Sequence, residues 1–175
     1  MTDALITISE RTRDQILGRR YISPRKVWKI DIPVDLKKFD PDSVSTNRAK
    51  YNLADEAIIG GIVARVQRHR RFEVLLEALE MVIREFPNFK FMVIGRGTYI
   101  QEIAVKPSQE MGIRTNLIFT GYKNEDFRQT LACLNFKVFL VPGTDGACRA
   151  VREAMAMRIP IIAANRGMLP EIIEN

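Results

Sequence analysis

Residues 58–94 of this chain read IIGGIVARVQRHRRFEVLLEALEMVIREFPNFKFMVI. Residues 58–64 form a short apolar run, which predicts a buried strand. Apolar side chains then recur every three or four positions over residues 72–86, which predicts an amphipathic helix that ends before Pro87. Residues 91–94 are again apolar and predict a second strand. Strand, helix and strand in this order predict a parallel β-α-β unit, because the helix serves as the crossover between two parallel strands.

The same alternation continues through the rest of the chain. Further strands are predicted at residues 117–120, 136–141 and 161–163, and helices at residues 99–111, from Asn124 onward and in the segment that carries Glu153. Five strands that alternate with helices predict an α/β fold with a doubly wound parallel sheet of the Rossmann-like kind. Ligands of such sheets bind at the carboxyl ends of the strands, so we expect a site in the loops that follow them.

The first part of the chain follows a different pattern. A strand, a helix and a strand are predicted, in this order, at residues 4–8, 10–18 and 27–32. Prolines and a polar run over residues 33–47 then predict a linker. We therefore interpret residues 1–50 as the tail of a preceding domain with its linker, and residues 51–175 as the α/β domain.

The composition is that of a soluble globular protein, with 46% apolar and 27% charged residues. No apolar run approaches the roughly 20 residues that cross a bilayer, and the N-terminus lacks the features of a signal peptide, so we expect a cytoplasmic protein. Cys133, Cys148 and His69 are the only cysteines and histidine, which leaves no cluster with zinc-ligand spacing. No metal site is predicted. Cys133 is expected to be a small buried residue and His69 a surface residue.

Basic residues outnumber acidic residues by 27 to 21, which gives a net charge of +6. The densest basic cluster consists of Arg65, Arg68, Arg70 and Arg71, at the point where a strand ends and a helix begins. A compact cluster at such a turn favours a focused phosphate site. No aromatic side chains alternate with these arginines, as a stacking platform for nucleic-acid bases requires. We therefore expect a phosphorylated small ligand and no nucleic-acid partner.

Residues 141–156, VPGTDGACRAVREAMA, form a glycine-containing loop that leads from a strand into a helix. The N-terminus of a helix presents backbone N–H groups and the positive end of the helix dipole, which together favour phosphate binding. The segment also carries two acids, Asp145 and Glu153, with seven residues between them. Carboxylates accept hydrogen bonds from hydroxyl groups. The segment therefore predicts a site for an anionic ligand that also carries hydroxyls.

These motifs together resemble the GT-B glycosyltransferases of the family 4 type. Residues 141–156 resemble the family's Pro-Ser-x-x-Glu-Gly-Phe-Gly loop, which four further residues join to Glu-Ala-Met-Ala. The family's Gly-Arg-Leu-x-x-x-Lys-Gly, Val-Ile-Gly-x-Gly, Phe-x-Gly and Gly-Gly-x-x-Glu patterns are matched by residues 63–71, 93–97, 119–122 and 167–171. The acceptor domain's last strand and the interdomain hinge are matched by residues 4–10 and 32–39. The matches follow the family's order over essentially the whole chain.

The resemblance implies the C-terminal, donor-binding half of a GT-B fold. In that half a nucleoside-diphosphate sugar lies across the strand ends, and Arg65 and Arg70 hold its diphosphate. Glu153 is implied to accept hydrogen bonds from the ribose hydroxyls, and Asp145 to contact the donor sugar. The resemblance implies a retaining transfer of that sugar to an acceptor, with no cofactor and no metal ion.

Further donor contacts are implied along the same edge of the sheet. The backbone of Gly146, Ala147 and Cys148 is expected against the diphosphate. Gly95, Gly97, Gly121 and Tyr122 are expected to bind the donor, and the nucleobase is expected to contact the loops after Gly97 and Gly121.

The chain departs from the family pattern at several positions. Asp145 stands where the family usually has glutamate, and its carboxylate is about one methylene further back. Ala147 and Cys148 replace phenylalanine and glycine, and a side chain at position 148 restricts the backbone. Arg70 replaces lysine and supplies a bidentate fork instead of a point charge. Arg158 lies where the family often has glycine.

The resemblance also implies that the chain is incomplete at both ends. Its partner would be the N-terminal GT-B domain, which supplies the acceptor site, and the isolated chain is expected to be inactive without it. An acceptor linked to a lipid would add a peripheral contact with the inner face of the membrane. Two alternatives remain open at this stage: a non-catalytic nucleotide- or phosphate-binding module, and a fragment of a sugar-nucleotide epimerase, which shares the GT-B architecture.

Overall fold

The computed structural model describes residues 3–141 and 148–173. The elements in chain order are β1 (Leu5–Thr7), α1 (Glu10–Gly18), β2 (Val27–Lys29), β3 (Ile59–Val63), α2 (Phe72–Glu85), β4 (Lys90–Ile94), α3 (Lys106–Glu110), β5 (Leu117–Gly121), α4 (Phe127–Leu131), β6 (Phe136–Phe139), α5 (Arg149–Ala156), β7 (Ile161–Ala163) and α6 (Leu169–Ile172).

Strands β3 to β7 form a parallel sheet in the order β5-β4-β3-β6-β7. The chain moves outward from β3 to β4 and β5, and then returns to the other side of β3 for β6 and β7. The loops after β3 and β6 therefore diverge, and a crevice opens between them at the carboxyl ends of the strands. The predicted fold class, an α/β domain with a doubly wound, Rossmann-like parallel sheet, is confirmed.

Helices cover both faces of this sheet. On one face α2 buries five apolar side chains at intervals of one, three and four residues, as the sequence pattern predicts: Phe72, Leu75, Leu76, Leu79 and Ile83. On the other face Leu131 and Ala154 pack with Ile59 and Met92 of the sheet. Strands buried on both faces are apolar along most of their length, which is why β3 and residues 91–94 of β4 appear in the sequence as unbroken apolar runs.

Strands β1 and β2 pair in parallel as a separate two-stranded sheet. The carboxylate of Glu171 accepts hydrogen bonds from the backbone N–H groups of Glu10 (2.7 Å) and Arg11 (3.2 Å), in the first turn of α1. A carboxylate is favourable there because the helix dipole is positive at that end. The division of the chain at residue 50 stays a prediction. None of the helices in the described residues has the length and apolar character that a membrane-crossing segment requires.

Several predicted elements are shorter in the structure. The strand predicted at residues 136–141 ends at Phe139, the strand predicted at residues 27–32 ends at Lys29, and the helix expected from Asn124 begins at Phe127. The helix predicted over residues 99–111 consists of a π-helical turn, Gln101–Val105, that leads directly into α3. Pro107 lies in the first turn of α3, where a residue without an N–H is tolerated.

Arg158 has a structural explanation, because it ends α5 in the left-handed conformation with φ +57°. Its N–H donates to the carbonyl of Met155 (2.9 Å), and the N–H of Ile159 donates to that of Ala154 (3.0 Å). These two bonds define a Schellman motif, in which glycine is the usual residue at the left-handed position. The guanidinium forms an exposed ion pair with Asp42 (2.9 Å).

We expect Arg158→Gly to raise the free energy of unfolding by roughly 0.5 kcal/mol. Relief of the left-handed strain contributes about 1 kcal/mol, and loss of the exposed ion pair offsets part of it. Urea denaturation checks this value. In an Asp42→Ala background, where no ion pair can be lost, the gain should be larger, and a loss of stability in that background would contradict the explanation.

Candidate functional site

A cavity of about 930 Å³ lies at the carboxyl ends of the parallel strands. Val63, Ile94 and Phe139, the last residues of β3, β4 and β6, are part of its wall. The loops after these strands and the first turn of α5 complete it on the sheet side. The segment around Phe39 and the start of α4 border the remaining side. The cavity is therefore in the crevice that the strand order produces.

The charged residues among the described lining of this cavity are mostly basic. Seven carry a positive charge: Lys38, Arg65, Arg70, Arg96, Lys123, Arg128 and Arg149. Two are acidic: Glu125 and Glu153. A concave surface with this excess of one sign attracts and concentrates anions. The cavity suits a ligand with several negative charges.

The loop between β3 and α2 supplies two of these arginines. Arg65 is exposed, and Arg70 lies in a short 3-10 turn, half-buried. The Nη1 of Arg70 donates a hydrogen bond to the carbonyl oxygen of Val141 (2.8 Å). Arg70 therefore joins this loop to the segment that follows β6. His69, in the same turn, is exposed, as predicted.

Gly95 and Gly97 allow the loop after β4 to lie directly against the loop after β3. The N–H of Val66 donates to the carbonyl of Arg96 (3.2 Å). A Cβ at Gly97 would lie 2.7 Å from the carbonyl carbon of Val66, and a Cβ at Gly95 would lie 3.0 Å from that of Ala64. Of the two glycines, Gly95 lines the cavity and Gly97 does not. The main role of the two glycines is therefore to let the backbones of these two loops pack against each other.

The loops after β4 and β5 are also held together. The N–H of Gly95 donates to the carbonyl of Gly121 (2.9 Å), and Gly121 has φ +71°. Gly121 lies outside the cavity lining, whereas Tyr122, which follows it, is part of the lining. The guanidinium of Arg96 lies over the ring of Tyr122, 5.1 Å from its centroid. This pair places a planar cation and an aromatic face together at one end of the cavity.

Lys123 is held in a defined position at the same end. It forms an ion pair with Asp126 (3.3 Å), which also pairs with Lys50 (2.6 Å). The side chain of Tyr51, together with Asp126, raises the pKa of Lys123 above its usual value. Its ammonium group therefore stays charged at neutral pH.

Helix α5 begins at the cavity. Its N-cap, Cys148, is buried and left-handed with φ +46°, a region that non-glycine residues seldom occupy. Cys148, Arg149 and Ala150 line the cavity, and so does Glu153 one turn later. The positive end of the helix dipole and the carboxylate of Glu153 therefore face the same cavity as the arginines.

The sequence profile of the family Glycosyl transferases group 1 matches residues 43–175. The chain belongs to this family.

Relatives of this chain carry named activities. The chain is 27% identical over 151 residues to the GDP-mannose-dependent alpha-(1-6)-phosphatidylinositol monomannoside mannosyltransferase of Mycolicibacterium smegmatis, over 80% of this chain and 38% of the relative. It is 22% identical over 175 residues to the alpha-D-kanosaminyltransferase of Streptomyces kanamyceticus, over 98% of this chain and 45% of the relative. The chain thus spans less than half the length of either relative.

Solved structures share the fold. The chain superposes on a glycosyltransferase from Rickettsia africae with a TM-score of 0.85 at 18% identity, over 99% of this chain and 47% of that one. The Anabaena protein HepE in complex with UDP and glucose gives a TM-score of 0.80 at 18% identity, over the same shares of the two chains. These likenesses show that the chain has the α/β, Rossmann-like fold found in about half of each of these GT-B glycosyltransferase structures.

The structure brings together six of the residues that the sequence predicts for a donor site. All six line one cavity: Arg65, Arg70, Gly95, Tyr122, Cys148 and Glu153. Gly97 and Gly121 lie next to the cavity but outside its lining. Asp145, Gly146 and Ala147 lie outside the described residues.

Other residues of the site carry no sequence signal that identifies them. Arg96, Lys123 and Arg128 line the cavity, and each stands in a loop or helix start where a basic residue is ordinary. Arg149 lines the cavity, whereas Arg152 forms an ion pair with Asp31 (3.4 Å).

The sequence does not predict the position of Lys137, which lies in the middle of β6 and is fully buried. Burial lowers the pKa of Lys137 to about 7, against the opposing effects of Glu153 and Cys148. The only signal for it is a lysine that interrupts the apolar run of β6, which a sequence pattern cannot distinguish from a solvent-facing strand position.

Proposed function

We propose that this chain is the donor-binding half of a retaining, nucleotide-sugar-dependent glycosyltransferase of the family 4 type. One observation carries the proposal: the cavity at the strand ends combines seven basic residues with Glu153 of α5. A nucleoside diphosphate has the matching chemistry, since it joins a polyanion to a ribose with two hydroxyls. The volume of about 930 Å³ is in the range of cavities that enclose ligands of this size.

Arg65 and Arg70 are proposed to bind the diphosphate. Guanidinium groups form bidentate, charge-assisted hydrogen bonds with phosphate oxygens. In the transfer, the bond between the sugar and the diphosphate breaks and negative charge grows on the leaving nucleoside diphosphate. Cationic side chains held beside that charge stabilise the transition state more than the ground state. This role needs no metal ion.

Glu153 is proposed to bind the ribose. It lies one turn into α5, so a diphosphate near the helix N-terminus brings the ribose within reach of its carboxylate. The nucleobase is proposed to lie beside Arg96 and Tyr122, whose stacked side chains offer both a planar cation and an aromatic face. The contact with the donor sugar is assigned to Asp145 on the family resemblance alone.

The names of the relatives agree with such a donor but differ in the base. The relative from Mycolicibacterium smegmatis is named as GDP-mannose-dependent, whereas the Anabaena protein was solved with UDP. We propose a nucleoside-diphosphate sugar as the donor class of this chain. We also propose that the 175 residues alone bind the donor and do not sustain transfer, since the structures they resemble are about twice as long.

Calorimetric titration with UDP, GDP and ADP tests the donor site. We expect binding of at least one of them, and Arg65→Gln should weaken it at least about tenfold through loss of a charged hydrogen bond. Arg65 is exposed, so the substitution should leave the fold intact. The matched control is Arg84→Gln on α2, an exposed arginine outside the cavity lining, which should bind as the unmodified chain does.

The outcomes separate a retaining transferase from a non-catalytic nucleotide-binding module. Absence of binding to all three nucleotides contradicts the donor-site proposal. Binding together with transfer when an N-terminal GT-B domain is supplied, with retention at the anomeric carbon by NMR, supports a retaining transferase. Binding without transfer under those conditions would favour a non-catalytic nucleotide-binding module, for which the side chain of Cys148 at a left-handed N-cap is the specific structural hint.

A further inference from the structure

Lys137 places an amine in the interior of the domain, directly behind the cavity. It stands in β6 opposite Gly61 of β3 and Ile161 of β7, with none of its surface exposed. Its Nζ donates a hydrogen bond to the carbonyl oxygen of Ala150 in the first turn of α5. The same Nζ lies 5.4 Å from the centroid of the Phe139 ring. Buried lysines are rare and need such partners, because removal of an ammonium from water is costly.

The partners of Lys137 are themselves part of the cavity wall. Phe139, Cys148, Ala150 and Glu153 line the cavity, whereas Lys137 does not. Ala150 and Glu153 are three residues apart on α5, so they lie on the same face of the helix. The positive charge of Lys137 attracts Glu153. One buried ammonium thus acts both on the first turn of α5 and on the carboxylate of Glu153, which lines the cavity.

We propose that Lys137 is a positioning residue for the nucleoside-diphosphate site: its ammonium group holds the first turn of α5 and orients the Glu153 carboxylate for the ribose hydroxyls. This inference rests on the proposed function, because it assigns Glu153 to the ribose. A carboxylate has about four lone-pair sites, so Glu153 can be attracted to Lys137 and still accept hydrogen bonds from two hydroxyls.

The orienting effect depends on the charge of Lys137. Burial lowers the pKa of this amine to about 7, so the charge is lost as the pH rises through neutrality. Among the described residues, the titratable groups that act on it are Glu153 and Cys148, both from α5 and its N-cap. The neighbouring strands, Ile59–Val63 and Ile161–Ala163, carry no titratable residue.

The test compares two ligands that differ only at the ribose. The dissociation constants of UDP, GDP or ADP, whichever binds the unmodified protein most tightly, and of its 2′,3′-dideoxy analogue are measured by calorimetry at about pH 6. Their ratio is the ribose selectivity, which we expect to be at least about tenfold for the unmodified protein. Lys137→Met, which keeps the length and apolar stem of the side chain, should reduce that selectivity about three- to tenfold.

Two further variants make the result specific. Lys90→Met is the matched control: Lys90 also donates to a backbone carbonyl, that of Thr115 (3.1 Å), but it stands at the start of β4, at the amino ends of the strands and away from the cavity. It should leave the ribose selectivity unchanged. In a Glu153→Gln background the Lys137→Met substitution should have little further effect, because the carboxylate on which it acts is gone.

The possible results distinguish a failure of this inference from a failure of the proposed function on which it rests. Unchanged ribose selectivity in Lys137→Met, together with a loss in Glu153→Gln, overturns the role of Lys137 and leaves the donor site intact. No binding of UDP, GDP or ADP by the unmodified protein overturns both.

If Lys137→Met does not fold, a measurement on the unmodified protein still tests the inference. Its ribose selectivity should fall about threefold or more between about pH 6 and about pH 8.5, and a constant ratio overturns the inference. Protonation of the ligand phosphate cancels in this ratio, because both ligands carry the same diphosphate.

Discussion

Replacing Gly97 with alanine is expected to lower the free energy of unfolding by about 3 kcal/mol or more. The added Cβ would overlap the carbonyl oxygen of Val66 and lie 2.7 Å from its carbonyl carbon and 3.0 Å from its Cα. All three atoms belong to the backbone, so no side chain can rotate away to make room. The loops after β3 and β4 would have to separate, and the hydrogen bond from Val66 to Arg96 would break. Urea denaturation followed by circular dichroism measures the loss.

Two other glycines serve as controls for the stability of the Gly97→Ala variant. Gly121 has φ +71°, and a Cβ added there would meet nothing within 4 Å, so Gly121→Ala should cost only the conformational strain of about 1 kcal/mol. Gly18, at the end of α1, has neither a close neighbour nor a positive φ, and Gly18→Ala should be neutral or slightly stabilising. A Gly97→Ala variant that loses no more stability than Gly121→Ala would contradict the packing argument.

The larger elements of the fold follow from the sequence because their signals are strong and local. Helix α2 is an example: its apolar residues from Phe72 to Ile83 include the five that face the sheet, and Pro87 follows its end. Strands β3 and β4 match their predicted apolar runs to within one residue at each end. The ends of shorter elements are less predictable. Strand β6 stops at Phe139 although its apolar run continues to Val141, because an apolar residue can be buried without pairing in the sheet.

The candidate site can be located from the sequence but not fully assigned. The sequence predicts that the arginines after β3 and Glu153 after β6 meet, because parallel strands bring their carboxyl ends to one edge of the sheet. It also predicts that Gly97 lies beside the ligand. In the structure Gly97 lies against Val66, a contact between two loops that are about thirty residues apart and that no local pattern reveals.

Arg158 and Lys137 show two further limits. The residue that ends a helix in the left-handed conformation is usually glycine. Position 158 is an arginine, so nothing in the local sequence indicates a Schellman motif there. Lys137 breaks the rule that charged residues stay at the surface. Both residues are understood only through the partners that folding brings to them: the carbonyl of Met155 for the backbone of Arg158, and that of Ala150 for the amine of Lys137.

The stability of the domain is expected to rise with pH between about 7 and about 10 through Lys137. The ordinary pKa of a lysine is 10.5, and burial lowers that of Lys137 to about 7 in the folded protein. Between these two values the unfolded chain binds the proton and the folded chain does not. Stability then increases with pH, and one group contributes up to about 1.4 kcal/mol per pH unit. Below pH 7 both states are protonated, and the full cost of the buried charge is present.

Comparison with Lys137→Met isolates this contribution from the other groups that titrate in the same range. The variant has no amine to bury, and replacement of a buried charge by an apolar side chain is often neutral or stabilising. We expect it to exceed the unmodified protein in stability most clearly at about pH 6, and the difference to shrink steadily towards about pH 9. Urea denaturation at several pH values measures both curves.

Lys90→Met is the control for these curves as well, because the ammonium of Lys90 reaches solvent while it donates to the carbonyl of Thr115. Its difference in stability from the unmodified protein should not change over the same pH range. A difference between Lys137→Met and the unmodified protein that also stays constant from about pH 6 to about pH 9 would contradict the prediction. The amine would then be hydrated in the folded state, and its charge would not act through the dry interior behind α5.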